Sequence, residues 1–208
     1  KYRGMPDAAA HSDAAVFGSY SPVPAVTTEI ENDIMEKVMR PLQEALNAEG
    51  IQFKGFISAD LVVQRNSISI FELQFGFGDL EPQTILPRLK SDIGELILTA
   101  TEERLMDVSI QWVEEMSVCV TLFSGKDSSK ESRGSKIKGL AQTKAMKGIF
   151  LFQENTVFDQ KDVVTHGGNA LYITATGSGL EEATVRANSA AENIHFEGKQ
   201  YKEIFEII

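Results

Sequence analysis

Residues 28–75 switch their apolar period once, from four residues to two, and that switch restricts the fold more than any other feature of the chain. Ile30, Ile34, Val38, Leu42 and Leu46 recur every fourth residue and so line one face of a helix. Thr28 and Glu31 in "TEIE" read as a capping box at its start, Gly50 as its end, and Pro41 as a kink. The runs "IQFKGFIS", "DLVVQRN" and "SISIFELQF" then predict antiparallel strands over 51–75, being β-branched and aromatic with turn residues between them. A second helix is predicted over 84–104 from Ile85, Leu89, Ile93, Leu96 and Ile97. Helix, sheet and helix in that order make an α+β unit.

The ends of the chain read differently. Residues 1–26 are rich in Ala, Gly, Ser and Pro without a clean period, and are expected to form a loop or an extended arm. After Trp112, "SVCVTLFS" reads as a buried strand and "GKDSSKESRGSK" as a polar loop. Short strands are expected around 149–153, 162–166 and 170–176, and Ser178 with Glu181 reads as a second capping box, opening a helix through Ile194. The predicted division is 1–112 and 113–208, the second part a small β-rich unit.

Composition bounds the function. The 208 residues allow one large or two small domains, and 42% apolar with 24% charged residues describes a packed, globular protein. A net charge of −10 argues against binding nucleic acid or an anionic membrane surface. No apolar run reaches the roughly 18–20 residues of a membrane span, so no direct membrane insertion is expected. Cys119 is the only cysteine, which excludes an internal disulfide and Cys-rich metal sites and suits a reducing compartment or organelle interior. The chain opens on Lys1, and "KYRGMPDAAAHSDAAVFG" lacks the charged-then-apolar order of a signal peptide; any targeting segment is expected to have been removed upstream.

One segment carries candidate chemistry. Strict alternation in "SISIFELQF" puts Ile68, Ile70, Glu72 and Gln74 on one strand face and Ser69, Phe71, Leu73 and Phe75 on the other. The side-chain oxygens of Glu72 and Gln74 can hold a hard cation such as Mg²⁺, although a neutral amide is the weaker partner. A carboxylate flanked by isoleucines on its face needs a reason: a face turned to solvent, a hydrogen-bonded partner, or a metal. Other motifs are weaker. Gly76-Phe77-Gly78 lacks the third glycine of a dinucleotide fingerprint, and Ser124-Gly125-Lys126 lacks the earlier glycine of a P-loop. His11, His166 and His195 have no ligand spacing. Gly177-Ser178-Gly179 reads as a plain turn and helix cap before it reads as an anion site, and Cys119 as an inert core thiol.

The stretch "FELQFGFGDLEPQTILPRLKSDIGELIL" resembles the central segment of the phosphoribosylamine–glycine ligases, ATP-grasp enzymes of purine biosynthesis whose pattern there is close to EFN-x-RFGDPETQ-x-x-LPRLKSDL. "GSYSPVPAVTTEIENDIMEKVMRP", "EGIQFKGFISADLVV", "SVCVTLFSG" and "VVTHGGNALYITATGSGLEEATVRANSAAENIHFEGKQY" resemble further segments of that family in the same order. The resemblance implies the second half of an ATP-grasp module, an antiparallel sheet with helices, followed by a small β-rich C-terminal domain of the hybrid-barrel type.

It also implies a metal pair, Glu and Asn two apart. Here Glu72 matches the Glu, and Gln74 stands at the Asn position, one methylene longer. The Arg of RFGDPE is Gly76, its Pro is Leu80 and its Thr is Pro82, while Asp79 and Glu81 persist. The family's glycine-rich loop reads "HSDAAVFG" at 11–18, keeping only Gly18; GGR reads Gly167-Gly168-Asn169; and the closing YR-x-DIG reads "YKEIFEII". The family's phosphoribosylamine-binding domain and first ATP-grasp lobe have no counterpart in these residues. These departures lead to an expected non-catalytic, structural or interaction subunit of a larger assembly, with other protein subunits as partners. On that reading no residue is catalytic, no cofactor is bound, and Glu72 and Gln74 are remnants of the metal site. The alternative is the C-terminal half of a working ligase that makes glycinamide ribonucleotide with ATP and Mg²⁺. A third reading, a module that still holds nucleotide or metal weakly, rests on Glu72, Asp79 and Glu81.

Overall fold

The computed structural model describes residues 2–3, 16–64, 67–125 and 133–203. In chain order the elements are β1 (Tyr2–Arg3), β2 (Val16–Ser21), α1 (Thr28–Ile34), α2 (Arg40–Ala48), β3 (Ser58–Gln64), β4 (Ser67–Gln74), α3 (Glu81–Ile85), α4 (Ile93–Thr101), β5 (Met116–Ser124), β6 (Arg133–Lys136), α5 (Leu140–Lys144), β7 (Ile149–Gln153), β8 (Thr156–Asp159), β9 (Asp162–His166), β10 (Gly168–Gly177), α6 (Leu180–Glu192) and β11 (Lys199–Gln200). Two units emerge. One holds residues 22–78 and 89–112; the other holds 1–21, 79–88 and 113–208. A single cut after residue 112 does not describe this division, because β2 hydrogen-bonds to β5 and α3 packs on β2 and β5. The segment 16–21, expected as loop or arm, is therefore a sheet strand; residues 11–15 of the stretch set against the family's glycine-rich segment lie outside the described residues.

In the unit of 22–78 and 89–112, helical backbone runs without a break from Thr28 to Ala48. Its cap is Thr27, one residue before the expected Thr28: the Thr27 hydroxyl accepts from the Ile30 amide at 3.3 Å. Residues Met35–Met39 form a π-turn, and Pro41 follows as the second residue of α2. A wide turn of this kind absorbs a proline that an ordinary helical register would not. The strand expected over 51–58 is irregular chain as far as residue 57, and the sheet is the single hairpin β3–β4. The expected 84–104 helix is also divided. Leu86–Arg88 is a 3₁₀ turn, Leu89 bridges to Trp112, and α4 begins only at Ile93, capped by Asp92, whose carboxylate accepts from the Glu95 amide at 3.0 Å. Pro87 contributes by lacking an amide hydrogen to continue the α-helical ladder, although Leu86 before it keeps helical angles of φ −63° and ψ −33°. Among the described residues of this unit only Val38, Leu96 and Thr99 are buried.

The other unit carries the core. Its larger sheet runs β1-β2-β5-β10-β7, with β11 also on β5, and all pairs are antiparallel. A three-stranded sheet, β6-β9-β8, accompanies it. Alternation along β5 and β10 sends Val118, Val120, Leu122, Leu171, Ile173 and Ala175 to one face, where α6 covers them with Ala183, Ala187, Ala190 and Ala191. Each fully buried branched side chain of this kind is worth about 1.5–3 kcal/mol. The small α6 face lets helix and sheet approach closely: a Cβ on Gly177 would stand 2.7 Å from the Ala183 backbone nitrogen. The opposite face carries Cys119 and Tyr172, packed with Leu80. There hydroxyls hold α3 down. Ser117 Oγ donates to the Thr84 carbonyl at 2.6 Å and Thr174 Oγ1 to the Gln83 carbonyl at 2.8 Å. Because both faces are covered, "SVCVTLFS" is a near-continuous apolar run rather than an alternating one.

Candidate functional site

Glu72 and Gln74 lie on β4, and the register with β3 decides which way they face. Val63 pairs with Ile68, Val62 with Ser69 and Leu61 with Ile70; Phe71 is then skipped, and pairing resumes with Asp60 opposite Glu72, Ala59 opposite Leu73 and Ser58 opposite Gln74. Directly opposite residues share a face, and side chains alternate along β3. Ile68, Ile70 and Leu73 thus lie with Val63, Leu61 and Ala59. Glu72 and Gln74 lie on the other face, with Asp60 and Ser58. Strict alternation had placed Glu72 and Gln74 with the isoleucines; the β-bulge at Phe71 overturns this, because one inserted residue inverts the side of everything after it. The puzzle of a carboxylate between isoleucines disappears with it. Val63 and Ile68 line a pocket with Thr27, Ile30 and Asp33 at the start of α1, so the apolar face is the helix side of the hairpin.

On the polar face Glu72 is exposed, while Asp60 and Gln74 are half-buried. The Ser58 hydroxyl donates to the Gly76 carbonyl at 2.7 Å and ties down the loop after β4. Gly76 has φ +147°, a conformation that side chains disfavour, although a Cβ there would meet nothing within 4 Å. Phe75 stacks edge-on against Phe53 at 5.1 Å, and Phe77 lies 4.3 Å from Phe56. Among the described residues no group of three or more His, Cys, Asp or Glu is gathered as a metal cluster. The donors that do share this face, a carboxylate and an amide oxygen two residues apart, are the hard ligands that suit Mg²⁺.

The remaining candidates belong to the other unit. Asp79 and Glu81 flank Leu80, which is buried and takes a left-handed φ of 65°. Beside Leu80, the Tyr172 hydroxyl donates to the Glu154 carboxylate and accepts from Asn169 Nδ2 at 3.2 Å. Burial, then Glu154, pushes the Tyr172 phenol well above its ordinary range, so it stays a proton donor. Asn169, at the family's GGR position, is thus engaged with Tyr172. The Ser178 amide and hydroxyl both donate to Glu182 at 2.7 Å, and these bonds hold the Glu182 carboxyl below its usual range. The α6 start is therefore closed by its own carboxylate four residues on, rather than by Glu181. His166, on β9, and His195, bridged to Lys138 after α6, are exposed, and His11 lies outside the described residues. Cys119 is fully buried, with its thiol pushed up to about 12 by burial. Asp60 and the Tyr172–Glu154 pair escaped the sequence reading; only the register and the sheet order reveal them.

Comparisons with known proteins bear on both units. Residues 6–82 match the phosphoribosylglycinamide synthetase ATP-grasp (A) domain, and residues 117–203 match the C domain of the same synthetase. The chain is a phosphoribosylglycinamide synthetase-like ATP-grasp protein. This synthetase relative is 36% identical over 183 residues to a phosphoribosylamine–glycine ligase of Vibrio vulnificus, covering 88% of the chain and 42% of the ligase. It is 34% identical over 186 residues to the chloroplastic enzyme of that name from Arabidopsis thaliana, covering 88% of the chain and 35% of that protein. The crystal structure of the Thermotoga maritima phosphoribosylamine–glycine ligase superposes with a TM-score of 0.68 at 25% identity, over 90% of this chain and 45% of that one. The N5-carboxyaminoimidazole ribonucleotide synthetase of the same organism shares the fold, with a TM-score of 0.55 at 14% identity. The chain spans less than half the length of these relatives. Mixed helices and antiparallel sheets with these neighbours make the fold class α+β, the ATP-grasp second half with its C-terminal domain.

Proposed function

We propose that this chain serves as the C-terminal portion of a phosphoribosylamine–glycine ligase, contributing one wall of an ATP-dependent carboxylate–amine ligase site. The observation that carries this reading is the collinear match of both domains to proteins of that name, over 88% of the chain. Relatives named as ligases favour it over the non-catalytic subunit that the departures at Gln74 and Gly76 had suggested. On this reading Glu72 and Gln74 would hold the magnesium ion, which neutralises charge on a phosphoryl group in transfer. The chain's own part is positional. The bulge at Phe71 turns both oxygens away from the helix, and the Ser58–Gly76 bond fixes the loop that follows. Exposed Ile70 (49%), Phe71 (68%) and Phe75 (60%) leave apolar surface on the hairpin.

The test is a chimera. The portion of the Escherichia coli ligase that precedes the match is joined to this chain and placed in cells lacking their own ligase. Growth without purines, lost on Glu72→Gln, is the expected result. A chimera that accumulates as soluble protein yet leaves growth purine-dependent overturns the proposal.

A further inference from the structure

The unit of 22–78 and 89–112 carries an apolar groove that the ligase reading does not use. We propose that this groove docks an amphipathic helix of another protein, one whose apolar stripe is flanked by lysine or arginine. None of the lining residues belongs to the Glu72–Gln74 face, so the groove stands apart from the ligase reading.

The shape comes first. The groove has a volume of about 640 Å³. Met35, Met39, Leu42 and Leu46 line it from the helix of 28–48, and Leu105 and Met106 from the turn after α4. A helix rises about 16 Å from Met35 to Leu46, which equals about three turns of a partner helix. Spread over that length, the volume leaves a section of about 40 Å². That is room for a row of side chains and too little for a whole helix, about 10–12 Å across. An occupant therefore lays one stripe of side chains into the groove and keeps its flanks on the rim, the helix-in-groove mode. Three of the six methionines of the chain line the groove. Their unbranched, polarizable side chains suit a surface that must repack around what enters it.

The rim decides what the occupant is. Met106 is 97% exposed, and Met35, Ile51 and Leu105 are exposed with it. A small apolar molecule on the floor would leave these side chains in water, whereas a helix laid across the groove covers them. Charge then selects the kind of helix. Four carboxylates, Glu49, Glu102, Glu103 and Asp107, stand in or beside the lining segments, against two cations, Lys54 and Arg104. Both cations are already paired: Lys54 with Glu103 at 3.0 Å, and Arg104 with Glu102 at 3.1 Å and Asp107 at 3.0 Å. Glu49, between Asn47 and Ile51 of the lining, is exposed. The rim is thus net acidic. A second copy of the chain would bring the same excess and be repelled, as would an anionic membrane surface, while basic flanks are attracted.

The test uses two fluorescein-labelled helical peptides of about three to four turns, with leucine at heptad spacing and either lysine or glutamate elsewhere. Each is titrated with the full chain at low salt and followed by anisotropy. The proteins are wild type, Met35→Glu, Met106→Glu, the double variant M35E/M106E, and the control Phe158→Glu, which changes an exposed apolar side chain of the other unit. Far-ultraviolet dichroism establishes that each is folded. A new glutamate adds attraction for lysine, so any loss in M35E or M106E reports the apolar contact and not charge. The lysine peptide should bind wild type about tenfold or more tighter than the glutamate peptide. M35E and M106E should each weaken it about fivefold or more, and F158E should leave it unchanged. Lysine-peptide binding unaltered in M35E/M106E would reduce the interaction to surface charge and overturn the proposal. Equal binding of the two peptides, or binding of neither, would overturn it as well. So would a wild type that dimerises in sedimentation and becomes monomeric with M106E, which would give the groove to a second copy. None of these outcomes touches Glu72, and the growth test above decides the ligase reading by itself.

Discussion

Replacing Gly76 by the arginine of the family pattern should weaken the protein rather than repair it. At φ +147° a residue with a Cβ is strained, typically by about 1–3 kcal/mol. Removing a glycine from the unfolded chain returns about 0.4–1 kcal/mol, which leaves a net loss of about 0.5–2 kcal/mol. Nothing lies within 4 Å of the new Cβ, so packing adds no further cost. The penalty therefore belongs to the backbone and should be the same for Gly76→Ala and Gly76→Arg. Trp112, the only tryptophan, sits in the same unit as Gly76 and reports its unfolding by fluorescence in urea. That unit has roughly 80 residues, for which 1 kcal/mol moves a thermal midpoint by about 4–8 °C. An arginine variant as stable as wild type, or one much less stable than the alanine variant, would show that the glycine conformation is not what sets the cost.

Two stability predictions test the rest of the fold. Leu171 is fully buried in β10, and Leu171→Ala should cost about 2–5 kcal/mol, read as a lower urea midpoint in far-ultraviolet dichroism. Thr27→Ala removes the acceptor for the Ile30 amide and should cost about 0.5–2 kcal/mol, whereas Thr28→Ala should cost less; the reverse order would restore the cap to Thr28.

Long periodic segments were legible in the sequence because their pattern and their packing are the same fact. The four-residue spacing from Ile30 to Leu46 is the helix of 28–48, and the apolar run from Val118 to Phe123 is a strand covered on both faces. What escaped depends on contacts distant in the chain. Val16–Ser21 has no alternation of its own to reveal it; it is a strand because β5 offers an edge a hundred residues on. Pro87 sits inside a helical period that it then divides. In the site, the residue types of Glu72 and Gln74 were readable and their direction was not. Alternation fixes a face only while pairing stays in register, and the bulge at Phe71 is a property of two strands, not of one. Asp60 was invisible for the same reason.

The Cys119 thiol supplies a pH test of the core between the sheet and α3. Its folded pKa is raised from 9.0 to about 12, by burial first, with weaker opposing hydrogen bonds from Thr174 and Thr84. Once the pH passes 9, the unfolded chain releases the thiol proton while the folded chain keeps it. The unfolded state then binds fewer protons, so stability falls as pH rises, until the folded thiol ionises near pH 12. With one group at about 1.4 kcal/mol per unit, the loss between pH 8 and pH 10 is about 1.4 kcal/mol. Tyr172, also raised, begins to act in the same sense above pH 10; Lys199, lowered chiefly by burial, acts in the opposite sense up to its ordinary value of 10.5. Both are common to wild type and Cys119→Val, so the difference between the two isolates the thiol. Valine fits the apolar slot, and the Thr84 and Thr174 hydroxyls keep their bonds to the Leu80 and Gln83 carbonyls. Urea midpoints at pH 7, 8, 9 and 10 should therefore fall faster for wild type than for Cys119→Val. Parallel falls would mean that the thiol reaches water in the folded protein, and that β5 is not sealed beneath Leu80.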